Sequence, residues 1–295
     1  MIKGLVSVII TTYARDTDLL FVAIDSVRRQ SYEPIEIIVV DDNGFGSEQQ
    51  RRNAQSLASQ PDVRYIANDK NTGAQFSRNI GLLNARGEYV AFLDDDDVWL
   101  PSKIEKQVRV LEDQGCDMVF CNGYRVSGSM MEAGTLYQRN FVSDRPITFD
   151  MQLESDRIGS TSNPLIRKSC LAKTGLFDFA MPARQDYEMW LRVCKQCKVQ
   201  GIDEPLFFYR CHQGERITRS LRRDLEASLL LWEKYKKDYM RNRKARARAQ
   251  FGLAVVYFKM KRPMRALFHA CFSFVSSPDV TASLLWNHIK GKPQF

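Results

Sequence analysis

Five short apolar runs punctuate the first 121 residues: Val6–Ile10, Glu36–Val40, Val63–Ala67, Tyr89–Leu93 and Asp117–Cys121. They are rich in β-branched and aromatic residues, as strands buried on both faces are. Amphipathic stretches separate them, at Asp18–Gln30, Ser47–Ser59, Ala74–Ala85 and Pro101–Gln114. In the first, Leu19, Leu20, Ala23, Ile24 and Val27 share one side of a helix. In the last, Ile104, Val108 and Leu111 do so, and Pro101 suits a first turn. Strands alternating with helices predict parallel βαβ units, hence an α/β fold with a mostly parallel sheet flanked by helices. In such sheets, ligands bind beyond the carboxyl ends of the strands.

The pattern weakens from about 122 to 182, where Gly, Ser, Asp and Arg predict loops, short strands and part of an acceptor site. A helix is expected again at Asp186–Lys195, and a short strand at Leu206–Tyr209. From Leu221 the chain reads as helical: one long segment to about Lys261, a second at Met264–Val275 and a third at Val280–Ile289. Ala249, Gly252, Tyr257 and Ala266 fit a tetratricopeptide-type hairpin, but one copy makes no solenoid. The expected organisation is a catalytic domain over 1–220, with halves 1–115 and 116–220, and a helical C-terminal extension over 221–295.

Charge divides the same way. From Arg222 onward there are 16 Lys/Arg against five Asp/Glu, a balance of +11, while the first 221 residues balance at −3. The 295-residue chain has ordinary globular composition, and no run approaches the ~18 apolar residues of a membrane span. Seven scattered cysteines and no leader-like start predict reduced thiols and a cytoplasmic location. Cys194 and Cys197, followed by Cys211 and His212, have the ingredients of a zinc site. Buried free thiols on an amphipathic helix are the simpler reading.

The densest chemistry is Asp94-Asp95-Asp96-Asp97, at the end of YVAFL. Four adjacent carboxylates repel one another unless a cation joins them, and hard oxygen donors suit Mg²⁺ or Mn²⁺. The alternative is an acidic turn before a helix. Asp41-Asp42 ends the second run and Thr11-Thr12-Tyr13 the first, so polar residues from three strand ends converge on one edge. Arg78, in the stretch leading to the acidic run, is a candidate partner for a base or phosphate, or else a surface arginine.

The segments VSVIITTYAR, AIDSVRRQSYEPIEIIVVDDNG and NTGAQFSRNIGLLNARGEYVAFLDDDDVWLP together resemble the inverting glycosyltransferase family 2, with its GT-A (Rossmann-like) fold. The likeness covers about the first 110 residues, continues more weakly through GLFD, RQDYEMWLR and FYRCH, and fades beyond Thr218. It implies transfer of a sugar from a nucleotide-diphosphate sugar, commonly UDP-linked, to an acceptor hydroxyl with help from a divalent metal. Carried over by position, Asp96 is the metal ligand, Asp95 the ribose contact and Asp94 its neighbour. Thr11, Asp42 and Arg78 hold the base, with Tyr13 and Arg15 beside the donor. Asp186, in the pair Gln185-Asp186, is the catalytic base; without the resemblance it reads first as the N-cap of the helix that follows. His212 matches a histidine that completes the metal or diphosphate site in some relatives. The resemblance further implies a glycan or lipid-linked acceptor in bacterial surface-polysaccharide synthesis. No QxxRW-type motif of processive synthases is present.

Lys234, Lys236, Lys237, Arg241, Arg243, Lys244, Arg246 and Arg248 crowd one stretch among Leu, Trp and Tyr. A basic amphipathic helix predicts peripheral contact with an anionic membrane, or a solvated face of a packed cap. No nucleic-acid motif accompanies the charge. Two rival functions remain at this point. A sugar-nucleotide nucleotidyltransferase would carry a Gly- and Arg-rich loop where this chain has Thr11-Thr12-Tyr13-Ala14-Arg15. An inactive binding protein on the same fold would have no use for Asp95, Asp96 and Asp186.

Overall fold

The computed structural model describes residues 1–127, 135–137, 143–211 and 220–290. Two compact units divide the chain: 1–147, 158–177 and 192–213 in one, and 148–157, 178–191 and the described residues of 214–295 in the other.

The first unit is built on one sheet. Four parallel strands come first in the chain: β1 (Ile2–Thr12), β2 (Ile35–Asp41), β3 (Val63–Ala67) and β4 (Gly87–Asp94). They lie side by side in the order β3-β2-β1-β4. Beyond β4 the sheet is mixed. The short β8 (Leu165–Arg167) runs antiparallel between β4 and β6 (Met118–Ser127). Next, β9 (Val199–Cys211) runs parallel to β6, and β5 (Val98–Trp99) closes the row antiparallel to it. The two-residue β7 (Thr135–Leu136) pairs with β6.

The central strands are apolar at most of their inner positions because helices cover both faces. On one face Val6, Val8, Ile10, Val39, Ala91 and Leu93 join Leu20, Ala23, Ile24 and Val27 of α1 (Thr17–Arg28). Ile104, Val108 and Leu111 of α4 (Lys103–Asp113) complete the same cluster. α2 (Glu48–Leu57) packs beside β3. On the opposite face α3 (Ala74–Asn84) lies across β1 and β2. Gly81 permits that approach, since a Cβ there would meet Ile9 Cγ2 at 2.3 Å. Phe92 meets Phe177 edge-on at 5.2 Å between centroids.

α6 (Lys168–Thr174) packs on β4 and β8. Its Cys170 is bonded to Cys197, with the Cα atoms 6.3 Å apart. The expectation that all seven thiols are free is therefore corrected: the two cysteines are remote in sequence, and only the packing of α6 brings them together. Cys116, Cys121 and Cys194 are buried and outside any disulfide.

The second unit is helical. It holds α5 (Phe149–Glu154), the start of α7 (Gln185–Gln196), α8 (Leu221–Lys234), α9 (Lys236–Arg241), α10 (Arg243–Lys259), α11 (Pro263–Ser276) and α12 (Pro278–Ile289). The long helix expected to Lys261 is in fact three. The chain breaks at Tyr235 (φ −111°), and the Asn242 side chain caps α10 by accepting from Ala245 N. Leu153, Met181, Ala183, Leu191, Ala227, Leu231, Tyr235 and Tyr239 form the core of this unit. Glu188 is fully buried within it, accepting from Tyr235 Oη at 3.0 Å and paired with Lys234 Nζ at 2.5 Å. No helix among the described residues is long and apolar enough to cross a membrane.

Candidate active site

Register brings the polar strand ends of the first unit together: Thr12 pairs with Asp41, and Thr11 with Asp94. From these ends the chain turns into loops that carry most of the residues expected at the site.

Asp42 organises the nearest loop. Its Oδ1 accepts from Asn68 Nδ2 (2.8 Å), Thr72 N (2.9 Å) and Thr72 Oγ1 (2.9 Å), and its Oδ2 from Gly73 N (2.8 Å). Gly73 sits at φ +93°, where a side chain would be strained, and starts α3. The buried Asp42 thus fixes the segment that launches Arg78. Asp41 braces the neighbouring turn through Asn43, Asn53 and Tyr65. Asn43 Oδ1 in turn accepts from Ala14 N at 2.8 Å, which ties the loop after β1 to the loop after β2.

Arg78 is nine-tenths buried. Its Nη2 donates to Asp94 Oδ1 at 2.9 Å, and its guanidinium lies 5.7 Å from the centre of the Phe177 ring. Thr161 Oγ1 donates to the same carboxylate oxygen, and Ser162 Oγ accepts from Asp94 N. Asp94 is therefore held in place by three partners from two other segments.

Arg15 spans the next two carboxylates, with Nε 3.2 Å from Asp95 Oδ1 and Nη2 2.8 Å from Asp96 Oδ2. Asp97 turns the other way: Oδ1 accepts from Arg210 N at 3.0 Å, and Arg210 Nε donates to the Asp96 carbonyl. Asp97 thus joins the acidic turn to β9, a structural task not visible in the run of four identical residues. Tyr13 is exposed at the rim.

The cluster is short of positive charge. Burial pushes the Asp95 carboxyl up to about 7; the neighbouring Asp96 and Asp94 charges act the same way, against Arg15. Burial also drives Asp97 well above the ordinary carboxylate range. Asp95 Oδ2 and Asp97 Oδ2 have no hydrogen-bond partner among the described residues. An under-compensated set of hard oxygen donors fits a divalent cation. Among the described residues no three His, Cys, Asp or Glu side chains form a ready ligand set. Mg²⁺ and Mn²⁺ often bind through one or two carboxylates together with substrate phosphates.

Asp186 belongs to the helical unit. It lies in the first turn of α7 rather than at its cap, and its Oδ1 accepts from Tyr187 N at 2.8 Å. Arg184, at φ +56° just before the helix, is locked to Asp224 by a 2.7 Å ion pair. The residue preceding α7 is thereby fixed to α8. His212 lies outside the described residues.

Sequence reading missed Asn68, Thr161, Ser162 and Arg210, all of which touch the acidic residues. Asn68 lies three residues before the resembling segment that opens at Asn71, and Arg210 lies within FYRCH; Thr161 and Ser162 lie near no recognised signal.

Residues 7–175 match the description of "Glycosyl transferase family 2". A putative teichuronic acid biosynthesis glycosyltransferase, TuaG of Bacillus subtilis, is 32% identical over 213 residues, covering 70% of this chain and 79% of the relative. The Escherichia coli UDP-Glc:alpha-D-GlcNAc-diphosphoundecaprenol beta-1,3-glucosyltransferase WfgD is 28% identical, covering 68% and 73%. An uncharacterized glycosyltransferase of Rickettsia felis is 28% identical over 243 residues, and the chain spans only 38% of its length. In three dimensions the chain is similar to S. aureus TarS 1–349 in complex with UDP-GlcNAc, with TM-score 0.61, 14% identity, and 98% and 93% of the two chains covered. The strand-end carboxylates thus sit on a GT-A sheet within the matched segment, and the chain belongs to glycosyltransferase family 2.

Proposed function

We propose that this glycosyltransferase moves a sugar from a nucleotide-diphosphate sugar, of the UDP class, to a hydroxyl of a glycan or lipid-linked acceptor, with inversion in a single displacement. The observation that carries the reading is the acidic turn after β4: four carboxylates at a strand end, two bridged by Arg15 and still short of positive charge. Nucleotide recognition falls to the loops beside it. Thr11 and Arg78 flank the base, Asp42 holds the loop that positions Arg78, and Asp94 and Asp95 face the ribose and diphosphate, with Tyr13 and Arg15 at the rim. Asp96 and His212 are the residues that would hold a divalent cation, which when bound supplies positive charge to the departing diphosphate.

Asp186 takes the proton of the acceptor hydroxyl as that oxygen attacks the anomeric carbon, and the C–O bond to the diphosphate breaks in the same step. Mounting Asp186 on the first turn of a helix, next to the Arg184–Asp224 pair, keeps its carboxylate in place. Residues 1–220 act as the catalytic domain. The basic extension, 221–295, keeps the enzyme at the cytoplasmic face of the membrane, near lipid-linked acceptors. The UDP class is supported by the folds of TarS with UDP-GlcNAc and with UDP, and the lipid-linked acceptor by the E. coli relative.

Incubation with UDP-sugars, Mn²⁺ and lipid-diphosphate-linked acceptors tests the proposal. Release of UDP with an inverted anomeric centre, read by NMR, supports it. Release of pyrophosphate would instead identify a nucleotidyltransferase, and donor binding without turnover on any acceptor would indicate a binding protein.

A further inference from the structure

α11 is amphipathic in the reverse sense. Its inner side, packed along α10, is small and polar: Ala266, Ser273 and Ser276 are buried. Ser273 Oγ donates to the Ala247 carbonyl, Arg246 Nε donates to Ser276 Oγ, and His269 Nδ1 meets Gln250 Oε1 at 2.6 Å. Its large apolar residues point outward. Met264 is 79%, Phe268 65% and Val275 80% exposed, and Leu267, Cys271 and Phe274 are exposed beside them. The spacing i, i+3, i+4, i+7, i+10, i+11 makes one continuous stripe about 17 Å long. Burial of this kind normally runs the other way, so a stripe of this size calls for a partner.

Charge identifies the partner. Residues 239–278 hold nine Lys/Arg and no Asp/Glu. Four of these cations, Lys259, Lys261, Arg262 and Arg265, are exposed around the α10–α11 turn, next to the exposed Phe258 and Met264. A second copy of this face would bring cations against cations. An anionic bilayer answers both features at once: headgroups neutralise the basic turn, and the acyl boundary takes the apolar stripe.

We propose that α11 and the α10–α11 turn dock this protein onto an anionic lipid surface, with Phe258, Met264, Leu267 and Phe268 entering the headgroup–acyl boundary. The inference rests on the membrane-proximal reading above and names the surface responsible for it.

The test uses the full chain and vesicles of phosphatidylcholine, with or without phosphatidylglycerol, in a flotation assay. Wild type binds the anionic vesicles in a salt-sensitive way and the neutral ones weakly. Combining Lys259→Glu, Lys261→Glu, Arg262→Glu and Arg265→Glu weakens anionic binding by about 100-fold or more. Combining Met264→Ser, Leu267→Ser and Phe268→Ser weakens it by about 30-fold and leaves a residual, salt-sensitive attraction. In Phe268→Trp, brominated lipids quench the new indole. Wild type that ignores anionic vesicles, variants that bind like wild type, or no quenching would each overturn the proposal. So would a wild-type dimer that the serine variant dissociates in sedimentation velocity, since the stripe would then be a self-interface. UDP binding, measured on the same proteins, is independent: its absence would count against the donor site and leave the vesicle result standing.

Discussion

The two units break the ordinary rules of burial in opposite directions. The sheet unit buries charge: Asp41, Asp42, Asp95, Asp97, Arg78 and Lys103 are all nine-tenths or more enclosed. The helical unit buries the paired Glu188 but departs chiefly by exposing apolar surface along α11. Buried charge is stable only when paired or bound, and exposed apolar area persists only where something covers it. Each departure therefore points to a missing partner, and the partners differ in kind: a compact, charged ligand at the strand ends, and an extended amphipathic surface at the C-terminal helices.

The comparison breaks first, and most severely, at Asp186. Asp186→Asn should lower turnover by about 10³-fold while UDP affinity stays unchanged, because a general base contributes 10²–10⁴ to rate and nothing to donor binding. A matched loss of donor affinity would place Asp186 in the nucleotide site instead. Next comes Asp42, which accepts four hydrogen bonds from the 68–73 segment. Asp42→Ala should destabilise the protein by about 3 kcal/mol in urea unfolding, because buried donors lose a charged acceptor. A loss below about 1 kcal/mol would mean that the loop is held by other contacts.

Lys103 gives a pH-dependent counterpart. It is fully buried, donating to Gln107 Oε1 at 2.8 Å with its Nζ 4.1 Å from the centre of the Trp99 ring. Burial pushes its ammonium from 10.5 down to about 8. Between those values the unfolded chain holds a proton that the folded chain has released, so stability rises with pH across that window; below it the penalty is present in full. Measured against Lys103→Met, wild-type stability should gain about 2–3 kcal/mol between pH 7.5 and 10.5. A flat difference would show that Lys103 keeps its proton, stabilised by the aromatic ring. The smallest effect belongs to the outer stripe. Phe268→Ser should change stability by no more than about 0.5 kcal/mol, because an exposed side chain leaves no cavity behind. A larger loss would mean that Phe268 supports the fold rather than a docking surface.

How much of this was legible depends on where the signal resides. β3 is where the sequence places it, read from its β-branched and aromatic residues although it is a half-buried edge strand, and β1, β2, β4 and β6 contain or overlap the runs read as strands, because those runs are largely buried. β5, β7 and β8 have two or three residues each, too few for any periodicity, and β9 extends well beyond the Leu206–Tyr209 that was read. The break at Tyr235 is made by tertiary packing in the helical core, whereas Asn242 was a readable cap lost within the basic run. At the site, a strand-end carboxylate is visible in sequence because adjacent like charges are unusual. Which of four identical aspartates turns toward Arg15 and which toward Arg210 is decided by β9, more than 110 residues away. Thr161 and Ser162 reach Asp94 through a segment with no periodic signal.

Titration calorimetry of UDP, with and without Mn²⁺, on wild type and Asp96→Ala, is the most direct test of the central claim that the acidic turn after β4 is a metal-assisted donor site. The account predicts Mn²⁺-dependent UDP binding to wild type, weakened by about 100-fold or more in Asp96→Ala. Failure of UDP, GDP, CDP and dTDP to bind wild type under any metal condition would contradict it.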